Sequence, residues 1–207
     1  SPYLTRAAFD LLGETMAAHM AIHWDHSWVK DYEFAKVKHL ILYDYAIHWF
    51  DILRAFLPGK TAKRVYASTA RSPQQEIMPA LLAQALIEFD NAQATLSFDA
   101  HTVAGKLDHT FIVGTKAIAR SDGPSEKVQT VTVSTPDGSW SPTLLGSWFS
   151  DGFHGTMGEM LCAIEEKRPS TIDARDNLAS LALCFAAVQS GEIHQPVIPG
   201  TVRTLPA

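Results

Sequence analysis

Asp44, His48 and Asp51 fall at i, i+4 and i+7 in the segment Asp44-Tyr45-Ala46-Ile47-His48-Trp49-Phe50-Asp51, so a helix stacks all three on one face. Their surroundings are apolar: Leu40, Ile41, Leu42, Ile52, Leu53, Phe56 and Leu57 flank them. Burying a charge is expensive, so these groups either satisfy one another or face a cleft where they exchange protons with a ligand. The plain alternative is a helix-surface ion pair, which contributes about 0.3–0.5 kcal/mol.

A second group of polar residues lies upstream. His19, His23 and Asp25 share one face of a strand, while Met20, Ile22, Trp24, His26 and Trp28 share the other. Histidine and carboxylate donors at that spacing suit zinc or a similar ion, which makes a metal-dependent lyase or hydrolase one reading. The preferred reading is metal-free. Trp24, Asp25 and His26 end the strand beside a substrate cleft, the indole as a stacking face and the polar groups as hydroxyl contacts. His154, in Asp151-Gly152-Phe153-His154-Gly155, reads as part of a loop entering a helix, where flanking glycines allow close approach to a ligand. Cys162 and Cys184 sit among apolar neighbours and read as buried free thiols.

The elements that must position these groups follow from periodicity and turn signals. Residues 4–12 read as the end of a helix stopped near Gly13, 15–29 as a long strand, and 43–57 as a helix closed by Pro58-Gly59. Strands are expected at 62–70, 80–89, 92–101, 107–113, 116–121 and 127–134, with a hairpin turning at Asp90-Asn91 and a turn-rich stretch over 135–147. Ala92, Ala94, Leu96 and Phe98 alternate with Gln93, Thr95, Ser97 and Asp99, giving one apolar and one polar face. Two helices close the chain. In the first, Met157, Met160, Leu161 and Ile164 form a stripe assigned to the core. The second starts at Asp173, buries Leu178, Leu181, Phe185 and Val188, and ends at Gly191. Short connections imply antiparallel pairing. The fold class is therefore α+β, a large, mostly antiparallel open-faced sheet with helices on one face. Residues 1–207 form a single domain.

Bulk properties narrow the function. The chain has 207 residues and a net charge of −5, which gives no electrostatic case for nucleic acid. No apolar run reaches the roughly 18–20 residues needed to span a bilayer, and no signal peptide is visible, so a cytoplasmic location is expected. The start at Ser1-Pro2 without Met suggests a trimmed N-terminus.

Four segments together resemble the C-terminal domain of the glucose–fructose oxidoreductase / inositol dehydrogenase / rhizopine catabolism (Gfo/Idh/MocA) family. They are Asp44-x-x-x-His48-x-x-Asp51; Ala85-Leu86-Ile87-Glu88-Phe89-Asp90-Asn91; Ile112-Val113-Gly114-Thr115-Lys116-Ala117; and Met160 to Pro169 followed by Asp176 to Ser190. The resemblance implies an NAD(P)-dependent oxidoreductase acting on a sugar, inositol or related polyol. It implies that Asp44 and His48 are the catalytic pair, His48 moving a proton at the reacting hydroxyl and Asp44 orienting the imidazole or a substrate hydroxyl. Asp51 would be structural. Trp24, Asp25, His26 and His154 would bind the polyol. NAD or NADP would be held mainly by an N-terminal Rossmann domain absent from this chain, which has no Gly-x-Gly-x-x-Gly. Alone, the chain is expected to turn over nothing. The sheet face would form a homodimer or homotetramer. Where many members have a glycine-rich stretch before the Asp, this chain has Lys38-His39-Leu40-Ile41-Leu42-Tyr43. A non-catalytic relative serving as a binding or scaffold subunit is the alternative.

Overall fold

The computed structural model describes residues 11–125, 127–147 and 149–204. The helix expected over 4–12 lies largely outside them. Eight strands form one sheet in the order β2-β3-β4-β1-β5-β6-β7-β8: β1 (Thr15–His23), β2 (Ala62–Ala70), β3 (Leu82–Phe89), β4 (Ala92–Asp99), β5 (Leu107–Gly114), β6 (Ile118–Ser125), β7 (Val128–Thr135) and β8 (Gly138–Trp140). Every neighbouring pair is antiparallel except β1 and β4, which run parallel with His19 opposite Thr95 and His23 opposite Asp99. Short turns predict the hairpins. They do not predict that β1 enters between β4 and β5, a long-range pairing set by the crossover through residues 24–61. β8 lies inside the stretch expected to be turn-rich.

The hairpin β3–β4 turns at Asp90-Asn91, with Asn91 in the left-handed region at φ 56°. The alternation in β4 holds: Ala94, Leu96 and Phe98 are buried, and they share the covered face with Met20, Ile22, Ala85 and Ile87. Gly114 is needed for close approach, since a Cβ there would stand 2.1 Å from the Leu12 carbonyl oxygen. Thr115 completes that corner, its Oγ1 accepting the Glu14 amide at 3.0 Å.

Three helices follow the expected positions: α1 (Ile47–Phe56), α2 (Phe149–Glu165) and α3 (Ala174–Ile193). Asp173 caps α3 through the Arg175 amide at 2.6 Å. The helix runs past Gly191 and ends at His194, which takes the left-handed C-cap at φ 54°. Its buried side carries small residues, Ala186, Ala187, Ser190 and Gly191, which let it lie close on β2. Ser190 Oγ accepts the Ala67 amide at 2.9 Å and donates to Gln195 O at 2.7 Å. Val197 then pairs with Val65, so the tail covers the β2 edge. Leu178, assigned to the buried stripe, is exposed.

Two further expectations are corrected. The stripe of Met157, Met160, Leu161 and Ile164 on α2 is exposed, as are Phe149 and Phe153, and among the described residues only Ala163 of this helix is buried. Periodicity shows that a helix has an apolar face but not what covers it; here α3 and the segment around α1 already occupy the sheet. Cys162 lies on the same helix and is exposed, whereas Cys184 on α3 is buried.

Candidate active site on the helix after β1

The segment after β1 does not continue as a strand to residue 29. Asp25 makes a single bridge to His101, and Ser27–Asp31 form a 3₁₀ turn. The chain then enters the Asp44–Asp51 segment through a π turn over Ile41–Tyr45, where the Ala46 amide reaches back to Ile41 O at 2.7 Å. The Leu42 carbonyl in this turn also accepts the Cys184 thiol at 3.1 Å. Burial pushes that thiol up to about 12. The α-helix proper begins only at Ile47. The π turn holds Asp44, whereas His48 and Asp51 lie on the regular helix after it.

Each of the three has a different setting. Asp51 accepts from Ser180 Oγ at 2.6 Å, beside Arg54, whose guanidinium holds Asp176 at 2.9 and 3.1 Å and Ser180 at 3.0 Å. Asp51 thus ties α1 to α3. Asp44 is exposed, and its Oδ2 lies 3.3 Å from His26 Nε2. His48 is exposed one turn further on, with its ring 6.2 Å from that of Trp49. Asp44 and His48 both reach the surface; no hydrogen bond joins them among the described residues.

The residues upstream divide between the two sides of the sheet. His26 is buried, and loss of water holds its imidazole below the usual histidine range, outweighing the pull of Asp44 and Asp25 in the other direction. Trp24 packs against the core, its indole edge-to-face with Tyr45 and Trp49 at 5.6 Å each. Those rings already occupy much of the surface expected to stack on a substrate. Asp25 is exposed and caps the following turn through the Ser27 amide at 3.0 Å. The Ser27 hydroxyl first, and that amide second, hold its carboxyl below the ordinary value. On the opposite face, His19 bonds Thr95 Oγ1 at 2.6 Å and His23 lies 3.2 Å from Asp99. The histidines weighed as metal ligands therefore have separate partners, and among the described residues no group of three or more candidate ligands converges. His154 is in the second turn of α2 rather than in a loop, and it is exposed.

Sequence reasoning missed two groups near this segment. His39 is buried with Nε2 2.8 Å from Glu192 Oε1, which anchors the start of the π turn to the end of α3. Ser72 Oγ bonds His101 Nδ1, joining the β2–β3 loop to the β4–β5 loop beside Asp25. Neither pair is local in sequence, so spacing carries no signal for it.

A model of the GFO/IDH/MocA C-terminal domain matches residues 10–120, a span that contains β1, the Asp44–Asp51 segment and β2 to β5. The chain belongs to the GFO/IDH/MocA family. Solved structures of similar fold include an oxidoreductase from Agrobacterium radiobacter in complex with NAD+, L-tartaric acid and magnesium, 21% identical with a TM-score of 0.77, covering 96% of this chain and 61% of that one. Levoglucosan dehydrogenase in complex with NADH and levoglucosan is 14% identical with a TM-score of 0.78, covering 96% and 63%. The WlbA dehydrogenase from Bordetella pertussis, in complex with NADH and UDP-GlcNAcA, is 17% identical with a TM-score of 0.72, covering 98% and 60%. At these identities the likeness is one of fold. The chain spans about three fifths of the length of these proteins. No curated protein matches it by sequence. No helix among the described residues is long and apolar enough to cross a membrane.

Proposed function

We propose that this chain is the substrate-side C-terminal domain of a cytoplasmic NAD(P)-dependent oxidoreductase acting on a sugar, inositol or related polyol. The observation that carries this reading is the pair Asp44 and His48. Both side chains are exposed one helical turn apart, while Asp51 is consumed by Ser180 and Arg54. His48 takes or returns the proton of the reacting hydroxyl, and Asp44 orients a substrate hydroxyl or the imidazole. Of the residues expected to contact substrate, Asp25 and His154 are exposed and stay candidate contacts in this reading, whereas Trp24 packs against the core and His26 is buried behind Asp44.

The dinucleotide itself does not fit the residues of this chain. The described sheet is antiparallel apart from β1–β4, and among the described residues no glycine-rich strand-to-helix turn is present to receive a pyrophosphate. In this family reading a nicotinamide held by a separate nucleotide domain supplies hydride acceptance. Two features support a second body of protein packed on this chain. An exposed acid–base pair needs water excluded to work well. On α2, Phe153, Met157, Met160, Leu161 and Ile164 are exposed. The polar sheet face around His19, Thr95 and Asp122 is the surface proposed for a homodimer or homotetramer, to be checked by sedimentation.

The test uses the full-length gene product, a panel of sugars and inositols, and reduced-nicotinamide absorbance. Turnover that collapses in His48→Ala, with an unchanged melting curve, supports the assignment. Equal turnover in mutant and wild type overturns the role of His48. Failure to bind any nicotinamide nucleotide moves the assignment to a non-catalytic binding subunit.

A further inference from the structure

We propose that His26 is a positioning residue for Asp44, its Nε2–H fixing the carboxylate so that Oδ1 is presented outward. This rests on the reading of Asp44 as a substrate-side group. Asp44 alone is poorly held: its side chain is 52% exposed on the π turn, and among the described residues His26 is its hydrogen-bond partner. The histidine, by contrast, is fixed from every side. Its side chain is 11% exposed. Its amide donates to Ala100 O at 2.8 Å, and its carbonyl accepts the Val29 amide at 3.2 Å. Its ring stands between those of Tyr45 and Trp28, each 5.1 Å away and edge-on. Tyr45 follows Asp44 directly, so the same turn supplies both the wall that holds the imidazole and the carboxylate that accepts its hydrogen bond.

The tautomer follows from chemistry. A carboxylate only accepts, so the 3.3 Å contact requires the proton on Nε2. Burial keeps the ring neutral at neutral pH against the pull of Asp44 and Asp25. A neutral donor orients the Asp44 carboxylate without setting a formal charge against it. A charged partner would instead form an ion pair with it. His26 thus stands behind Asp44 and works through it, rather than touching substrate itself as the sequence suggested.

Two measurements test this, and they fail separately from the functional reading. The first is the ring nitrogen spectrum of the protein. The expected result is a neutral Nε2–H tautomer for His26 near neutral pH, with its resonances displaced in Asp44→Asn. An Nδ1–H tautomer, or resonances that ignore Asp44→Asn, overturns the proposal whether or not a substrate is known. The second is kinetic, in the full-length enzyme. His26→Gln, which retains an N–H donor, keeps most of kcat, whereas His26→Leu lowers kcat roughly ten- to hundredfold. His26→Leu adds nothing in an Asp44→Ala background. Equal losses in His26→Gln and His26→Leu, or losses that add to that of Asp44→Ala, overturn it. If no polyol is turned over by the wild type, the functional reading fails while the ring spectrum still decides the role of His26.

Discussion

Ser180 on α3 donates its hydroxyl to Asp51 Oδ1 across 2.6 Å, and this bond removes Asp51 from the set of groups free to do chemistry. Ser180 is fully buried, and its oxygen also accepts from Arg54, so one hydroxyl joins a carboxylate on α1 to a guanidinium bridging to Asp176. Ser180→Ala leaves Asp51 to water, which can reach it, and removes an acceptor from Arg54, which keeps Asp176. The expected cost is about 1 kcal/mol in urea unfolding. Turnover of the full-length enzyme should not change. His48→Ala should behave oppositely, lowering turnover with little effect on unfolding, and that contrast separates the structural from the chemical member of the pattern.

Much of the sheet was readable because alternation and turns are local. Leu96 and Phe98 face the core with Ser97 and Asp99 outward, and Asp90-Asn91 makes the hairpin. Spacing also marked Asp44 and His48 as candidates, and both side chains reach the surface, but their role came from the family resemblance. What spacing could not show is the π turn. Its end is marked by the Ala46 amide choosing Ile41 over the carbonyl one residue later. Nor could it show that Asp44 meets His26, because that contact depends on where the crossover after β1 returns. The exposed stripe of α2 was misread for a related reason: an apolar face is a property of the helix, and burial is a property of its neighbour.

Stability should fall as pH falls through the histidine range. His26 and His39 both take up protons less readily in the folded protein, mainly because burial disfavours the charged ring. Below the ordinary value of 6.5 the unfolded chain gains protons that the folded one does not, so unfolding is favoured. Above that value the contribution is complete. Urea midpoints should therefore decline between about pH 7.5 and about pH 5.5, and His26→Gln with His39→Gln should flatten the decline. A slope unchanged by the double substitution would assign it to other groups. The carboxylates of Asp25 and Asp176 are shifted down, so their contribution is lost only at lower pH, as they protonate.

The two thiols should differ sharply in reactivity. Cys162 lies exposed on α2, whereas Cys184 is buried, bonded to Leu42 O, and pushed up to about 12. A thiolate is the reactive form, so Cys184 is protected by both access and protonation. A disulfide-exchange reagent should label a single thiol per native chain and both in urea, and Cys162→Ser should abolish the native signal. Fast labelling of two thiols under native conditions would mean that α3 opens readily from β2.

The uncovered stripe of α2 makes a prediction that separates an interface from a core. Phe153 and Leu161 are each 63% exposed, so replacing them with glutamine removes little buried area from this chain. Phe153→Gln and Leu161→Gln should each change the unfolding free energy of the 207-residue chain by no more than about 0.5 kcal/mol. Both should reduce binding of a hydrophobic dye to the native protein, because they break up an apolar patch. In the full-length protein the same substitutions should cost more, since a second body of protein covering the stripe would lose apolar contact. A large loss of stability in the 207-residue chain itself would place α2 in its core. Equal, small effects in both proteins would show that nothing in the longer chain covers this helix.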